Sequence, residues 1–109
     1  MRCVSIEEYA EALCLDVKSL CGRSRRRPLS DARCVYAVYL RDVVVKDDDG
    51  LWSYSRIGRL FGRSHSTMFL NCKRQRCFLQ AGDRMTVLLW NVLVHAAGRD
   101  DLHRQAKLC

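Results

Sequence analysis

Five polar residues in a row, Arg63-Ser64-His65-Ser66-Thr67, follow the pair Phe61-Gly62. All five carry hydrogen-bonding groups, and none is a carboxylate. An arginine fork matches the O6 and N7 of guanine, and threonine offers a hydroxyl plus a methyl for thymine. Farther along, Lys73, Arg74 and Arg76 are placed to track a phosphate backbone. A second cationic set, Arg23, Arg25, Arg26 and Arg27, lies in Gly22–Pro28, where Pro28 is the only apolar residue. That composition reads as an exposed basic loop. The chemistry of both sets is recognition of a polyanion rather than bond-making.

Reactive chemistry is sparse. His65, His95 and His103 are isolated, and His65 stands two helical turns from Cys72, too far to activate it. Seven cysteines occur, an odd number, with no CxxC pair. Cys72 and Cys77, the closest, point in different directions on a helix and make a poor metal clamp. Reduced thiols packing as small hydrophobes are the expectation. Asp47-Asp48-Asp49-Gly50 lacks the alternating ligands and closing Glu of a calcium loop and reads as a solvated turn. Trp52 and Trp90 read as core or rim packing. No cofactor, no metal and no enzymatic activity are expected.

The elements that must position these residues read as an all-α bundle. Ser5-Ile6-Glu7-Glu8 is a capping box, followed by an apolar stripe of Tyr9, Ala12, Leu13 and Cys14. This helix is expected to end near Leu15. Asp16–Leu20 reads as one extra turn, punctuated by Gly22. After the basic loop, Ser30 or Asp31 caps a helix from Ala32 to about Val44, with Val35, Val38, Tyr39 and Val43 on its inner face. The β-prone run Val43-Val44-Val45 blurs its end. Ser53 then opens a short helix in which Ile57, Leu60 and Phe61 share one face, and Gly62 stops it. Ser64 caps the next, His65 to about Leu79, whose candidate buried residues are Met68, Phe69, Cys72 and Phe78 or Leu79. Asp83 caps a last helix, Arg84 to Ala97, apolar on nearly all sides. Two short helices about Gly62-Arg63-Ser64 make a helix-turn-helix, whose second helix enters the major groove.

The whole chain is consistent with this. Its 109 residues suffice for one domain with a modest core; residues 1–97 are read as the domain and 98–109 as a frayed tail. The net charge is +7, and it is segregated: residues 1–21 sum to −2, residues 22–46 to +5 and residues 47–84 to +3. A surface that is merely soluble mixes its signs. The longest apolar run, Met85–Ala97, is too short for a membrane span of about twenty residues. The N-terminus carries Glu7, Glu8 and Glu11 where a signal segment would be apolar, so a cytoplasmic, nucleoid-associated location is expected.

The stretch Ser53–Met68 resembles the signature of the C-terminal DNA-binding domain of the bacterial replication initiator DnaA family: Ile-Gly, Phe-Gly, then Arg-Asp-His-Thr/Ser-Thr-Val. The resemblance extends over roughly residues 5–95, through Asp16–Leu20, the loop Arg23–Arg27 and Ala32-Arg33. It implies that Arg23, Arg25, Arg26 and Arg27 supply a minor-groove arm. It implies that Arg63, Ser64, His65, Ser66 and Thr67 face the major groove, and that Arg33, Arg56, Lys73 and Arg74 meet the DNA backbone. Three departures stand out. Ser64 replaces the family's Asp, the Gly-Gly-Arg turn shortens to Gly62-Arg63, and the helix after Arg33 is one residue out of register. No G-x-x-x-x-G-K-[ST] run occurs, so neither nucleotide binding nor ATP-driven origin melting is expected.

The expected function is sequence-preferring binding of double-stranded DNA, linked to replication initiation or its regulation. The alternative is a protein-interaction module that keeps the fold, with residues 85–97 as the surface for a homodimer or a protein partner.

Overall fold

A computed structural model describes residues 4–22, 29–43, 45–46 and 50–108, without the side chains of 45–46, 50–51 and 99–108. Among the described residues, six helices and one minimal β-ribbon follow in chain order: α1 (Ile6–Ala12), α2 (Val17–Leu20), α3 (Leu29–Asp42), β1 (Val45–Lys46), β2 (Gly50–Leu51), α4 (Tyr54–Phe61), α5 (His65–Gln80) and α6 (Arg84–Leu108). The fold is an all-α bundle. The β-prone valines contribute only Val45 opposite Leu51 and Lys46 opposite Gly50, antiparallel. The basic loop 23–28 and the acidic run 47–49 lie outside the described residues.

Local chemistry sets most boundaries. Ser5, Asp16, Ser53 and Ser64 each accept from the backbone N–H three residues on, capping α1, α2, α4 and α5. Asp83 does the same for α6 through the Thr86 N–H. Three helices close alike, with a left-handed residue followed by a bond reaching back five residues. After α4, Gly62 has φ 65° and the Arg63 N–H donates to the Gly58 carbonyl at 2.7 Å. After α5, Gly82 has φ 76° and Asp83 donates to Phe78. After α1 the left-handed residue is Cys14, at φ 58°, so this helix ends at Ala12 rather than near Leu15. Ala12 and Cys14, expected on the inner stripe, are exposed, while Ile6, Tyr9 and Ala10 are buried.

α3 is the axis of the bundle. Every residue from Asp31 to Leu40 is buried, on all sides of the helix rather than one. It packs against α5 and α6 along its length and also touches α2 and α4. Ser30 and Asp31 lie inside its first turn, since the helix already begins at Leu29. Aromatic side chains knit the core. Tyr9 stacks on Tyr36 with ring centres 5.2 Å apart, Phe61 meets Tyr36 edge-on, and Trp90 meets Tyr39 edge-on. The phenols find backbone acceptors: Tyr9 donates to Ala32 at 2.9 Å, and Tyr36 to Val4 at 2.7 Å. These bonds tie α1 and the preceding strand of chain to α3. α6 runs on to Leu108, where a tail from Gly98 is expected. Among the described residues no helix is long and apolar enough to cross a membrane.

Candidate nucleic-acid interface

α4, the turn Gly62-Arg63-Ser64 and α5 form the expected helix-turn-helix. Ile57 and Phe61 anchor α4, and Met68 and Cys72 anchor α5, all buried. The turn is close-packed. A methyl group on Gly58 would run into the Arg63 carbonyl oxygen, so only glycine lets the two helices approach this closely. α5 is further clamped to its neighbours by Arg76. Its guanidinium reaches Asp42 of α3 with two bonds of 2.7 and 2.8 Å, and Tyr54 of α4 at 2.9 Å. The Asp42 bond, more than any other contact, holds the Arg76 proton above its ordinary affinity. Arg76, expected to track the backbone, is therefore a brace between helices.

The five-residue run divides into separate roles. Ser64 is the helix cap; its hydroxyl accepts from the Thr67 N–H and donates to the Thr67 hydroxyl at 2.9 Å. His65, Ser66 and Thr67 are exposed on the first turn of α5. Arg63 is not available as a free fork for guanine. It is half-buried, and its two terminal nitrogens donate to the carbonyls of Phe61 at 2.7 Å and Gly22 at 3.1 Å. Arg33 donates to the same Gly22 oxygen at 2.6 Å. Arg33 is only 4% exposed, which corrects its expected place on the outer surface. A carbonyl has two lone pairs, so one oxygen can satisfy both cations. The pair thus pins the chain where it leaves α2 to the turn that starts α5. Burial, and then the neighbouring Arg63 charge, lower the proton affinity of Arg33.

Beside this pair lies a cavity of about 330 Å³, lined by Ser30, Arg33, Cys34, Phe61, Arg63, Thr67, Met68, Asn71 and Arg74. Three guanidinium-bearing residues, two hydroxyls and an amide share it, and among the described residues no carboxylate lines it. Thr67, Asn71 and Arg74 recur at helical spacing, so their common face was readable from the sequence. Ser30 was missed, because its place depends on how α3 packs against α5. Arg74 also approaches the Cys34 sulfur, at 4.0 Å. Lys73 is exposed. Arg56, expected on the backbone, lies over the Trp52 ring at 3.8 Å, and both residues are half-buried. Arg23, Arg25, Arg26 and Arg27 lie outside the described residues.

Of the residues named for burial on α5, Phe69 is 47% exposed and Phe78 is 37% exposed. Cys14, Cys21, Cys34, Cys72 and Cys77 are free thiols. No cluster of His, Cys, Asp or Glu able to hold a metal occurs among the described residues. Compared with family models, curated proteins and solved structures, the chain finds no match.

Proposed function

We propose that this protein binds double-stranded DNA with sequence preference, in the service of replication initiation or its regulation. The observation that carries the reading is the pairing of an exposed polar first turn on α5 with the arginine-lined cavity next to it. In this reading α5 lies in the major groove, and His65, Ser66 and Thr67 read base edges. At the mouth of the cavity the exposed Arg74 meets a backbone phosphate, beside Thr67 and Asn71. Arg63 serves as a positioning residue, and Arg23, Arg25, Arg26 and Arg27 supply the arm in the minor groove. Lys73 follows the phosphates. The compartment that suits this role is the cytoplasm, at the nucleoid.

Selection from a random duplex library at physiological salt tests the reading. An enriched motif is expected. His65→Ala and Thr67→Ala should each reduce discrimination at a base position by about 1–3 kcal/mol, the usual worth of a direct base contact. Full specificity in the double variant would reject the readout, and failure of every duplex to bind would reject the function.

A second reading, an interaction module, rests on α6. Leu88 is 60% exposed there, beside a cavity lined by Ala12, Leu88, Asn91, Val92, His95 and Ala96. Binding through that face would scarcely respond to salt, whereas DNA binding weakens steeply.

A further inference from the structure

The outward face of α5 carries an apolar side chain that the core does not use. Met68, Cys72 and Gln75 mark the buried side of this helix. At about 3.6 residues per turn, the opposite side is traced by Ser66, Leu70, Lys73 and Cys77. All four are exposed, and Leu70 most conspicuously, at 62%. A single exposed leucine is ordinary on a protein surface. This one stands four residues after Ser66 and three before Lys73, on a helix with no Asp or Glu anywhere between His65 and Gln80. The arginine-lined cavity opens along the flank of the same helix at Thr67, Asn71 and Arg74. The surroundings favour a polyanion, and the polyanion must present something apolar to Leu70. In the major groove the base-edge group of that kind is the C5 methyl of thymine.

We infer that Leu70 is a specificity-determining residue that packs on a thymine methyl. The inference rests on the DNA-binding reading above. It adds a register to that reading. A helix that follows the major groove runs obliquely to the DNA axis, so side chains three or four residues apart on one face meet successive bases. The methyl that Leu70 meets therefore lies about one base pair from the base that faces Ser66. Thr67, which also borders the cavity, lies one position round the helix from this outer stripe, where Leu70 is the apolar residue.

The test uses the full chain and a fluorescent duplex of the selected sequence. Each thymine is replaced in turn by uracil, which removes the methyl and keeps every hydrogen-bonding group. At one position the wild-type protein should lose about four-fold in affinity, the worth of one buried methyl group. Leu70→Ala should show the same loss on the thymine duplex and no further loss with uracil there. Leu70→Met should restore the thymine preference. Leu70 is exposed, so these variants are expected to fold, and thermal melting verifies it. A uracil effect that persists unchanged in Leu70→Ala, or none at any position, overturns the inference while DNA binding stands. A change of oligomeric state in Leu70→Ala assigns the side chain to self-association and overturns it too. Absence of binding to any duplex overturns the DNA reading, and this inference with it.

Discussion

Lys73 and Arg76 stand one turn apart on α5, carry the same charge and do different work. Arg76 is committed to Asp42 and Tyr54, whereas Lys73 projects into solvent. Replacing Lys73 with Ala should lower the slope of log affinity against log salt by about one unit while leaving stability unchanged. Replacing Arg76 with Ala should leave that slope alone and cost about 1 kcal/mol of stability, a modest figure because the Asp42 pair is partly solvated. Salt titrations of binding, paired with denaturant melts, separate the two. Equal slopes in both variants would remove Lys73 from the interface. Nothing in the spacing of the basic residues distinguished them. Only Asp42, brought across from α3, did so.

The elements are bounded by caps and by left-handed closures, and one closure is imperfect. Cys14 occupies a left-handed conformation that a β-carbon disfavours by about 1–2 kcal/mol. The equivalent positions after α4 and α5 are Gly62 and Gly82. Cys14→Gly should therefore raise stability by about 1 kcal/mol, measured by denaturant unfolding. A loss of stability would show that the exposed Cys14 side chain makes a contact worth more than the backbone strain. The caps at Ser5, Ser64 and Asp83 and the stop at Gly62 were legible in the sequence, because capping uses residues within one turn of each other. The early end of α1 was not legible, since no glycine marks it. The run of α6 past Gly98 was also not legible, because glycine only weakens a helix by about 1 kcal/mol and does not forbid it.

At the scale of the whole molecule, the thiols beneath α5 make stability depend on alkaline pH. Burial pushes Cys72 from an ordinary value of 9.0 up to about 11, and it pushes Cys34 upward as well. The folded state then holds its thiol protons at a pH where the unfolded chain has released them. The stabilisation is complete below about pH 9 and declines as pH rises toward about 11. The slope per buried thiol should be at most about 1.4 kcal/mol per pH unit. Urea melts across that range should show the fall, and Cys72→Ala should flatten it. A pH-independent midpoint would mean that Cys72 is not sequestered as its burial indicates. Alkylation in the native state should meanwhile reach the exposed Cys14 and Cys77 before Cys34 or Cys72.

The sequence by itself determined the helical class, the caps of α1, α5 and α6, the two helices about Gly62-Arg63-Ser64, and the polar first turn of the second. These follow from neighbours within a turn or two, where spacing and side-chain type suffice. Tertiary structure alone decided which helix is covered. α6 reads as apolar on nearly all sides, yet its Leu88 and Val94 remain exposed, while the mixed α3 is buried all round. Burial depends on how many elements surround a helix, and no local pattern records that. Tertiary structure also decided which arginines are free. Arg33 and Arg63 meet at the Gly22 carbonyl across 11 and 41 residues of chain, and Arg76 meets Asp42 across 34. A cation's partner is set by packing, so its role becomes visible only once the bundle has closed.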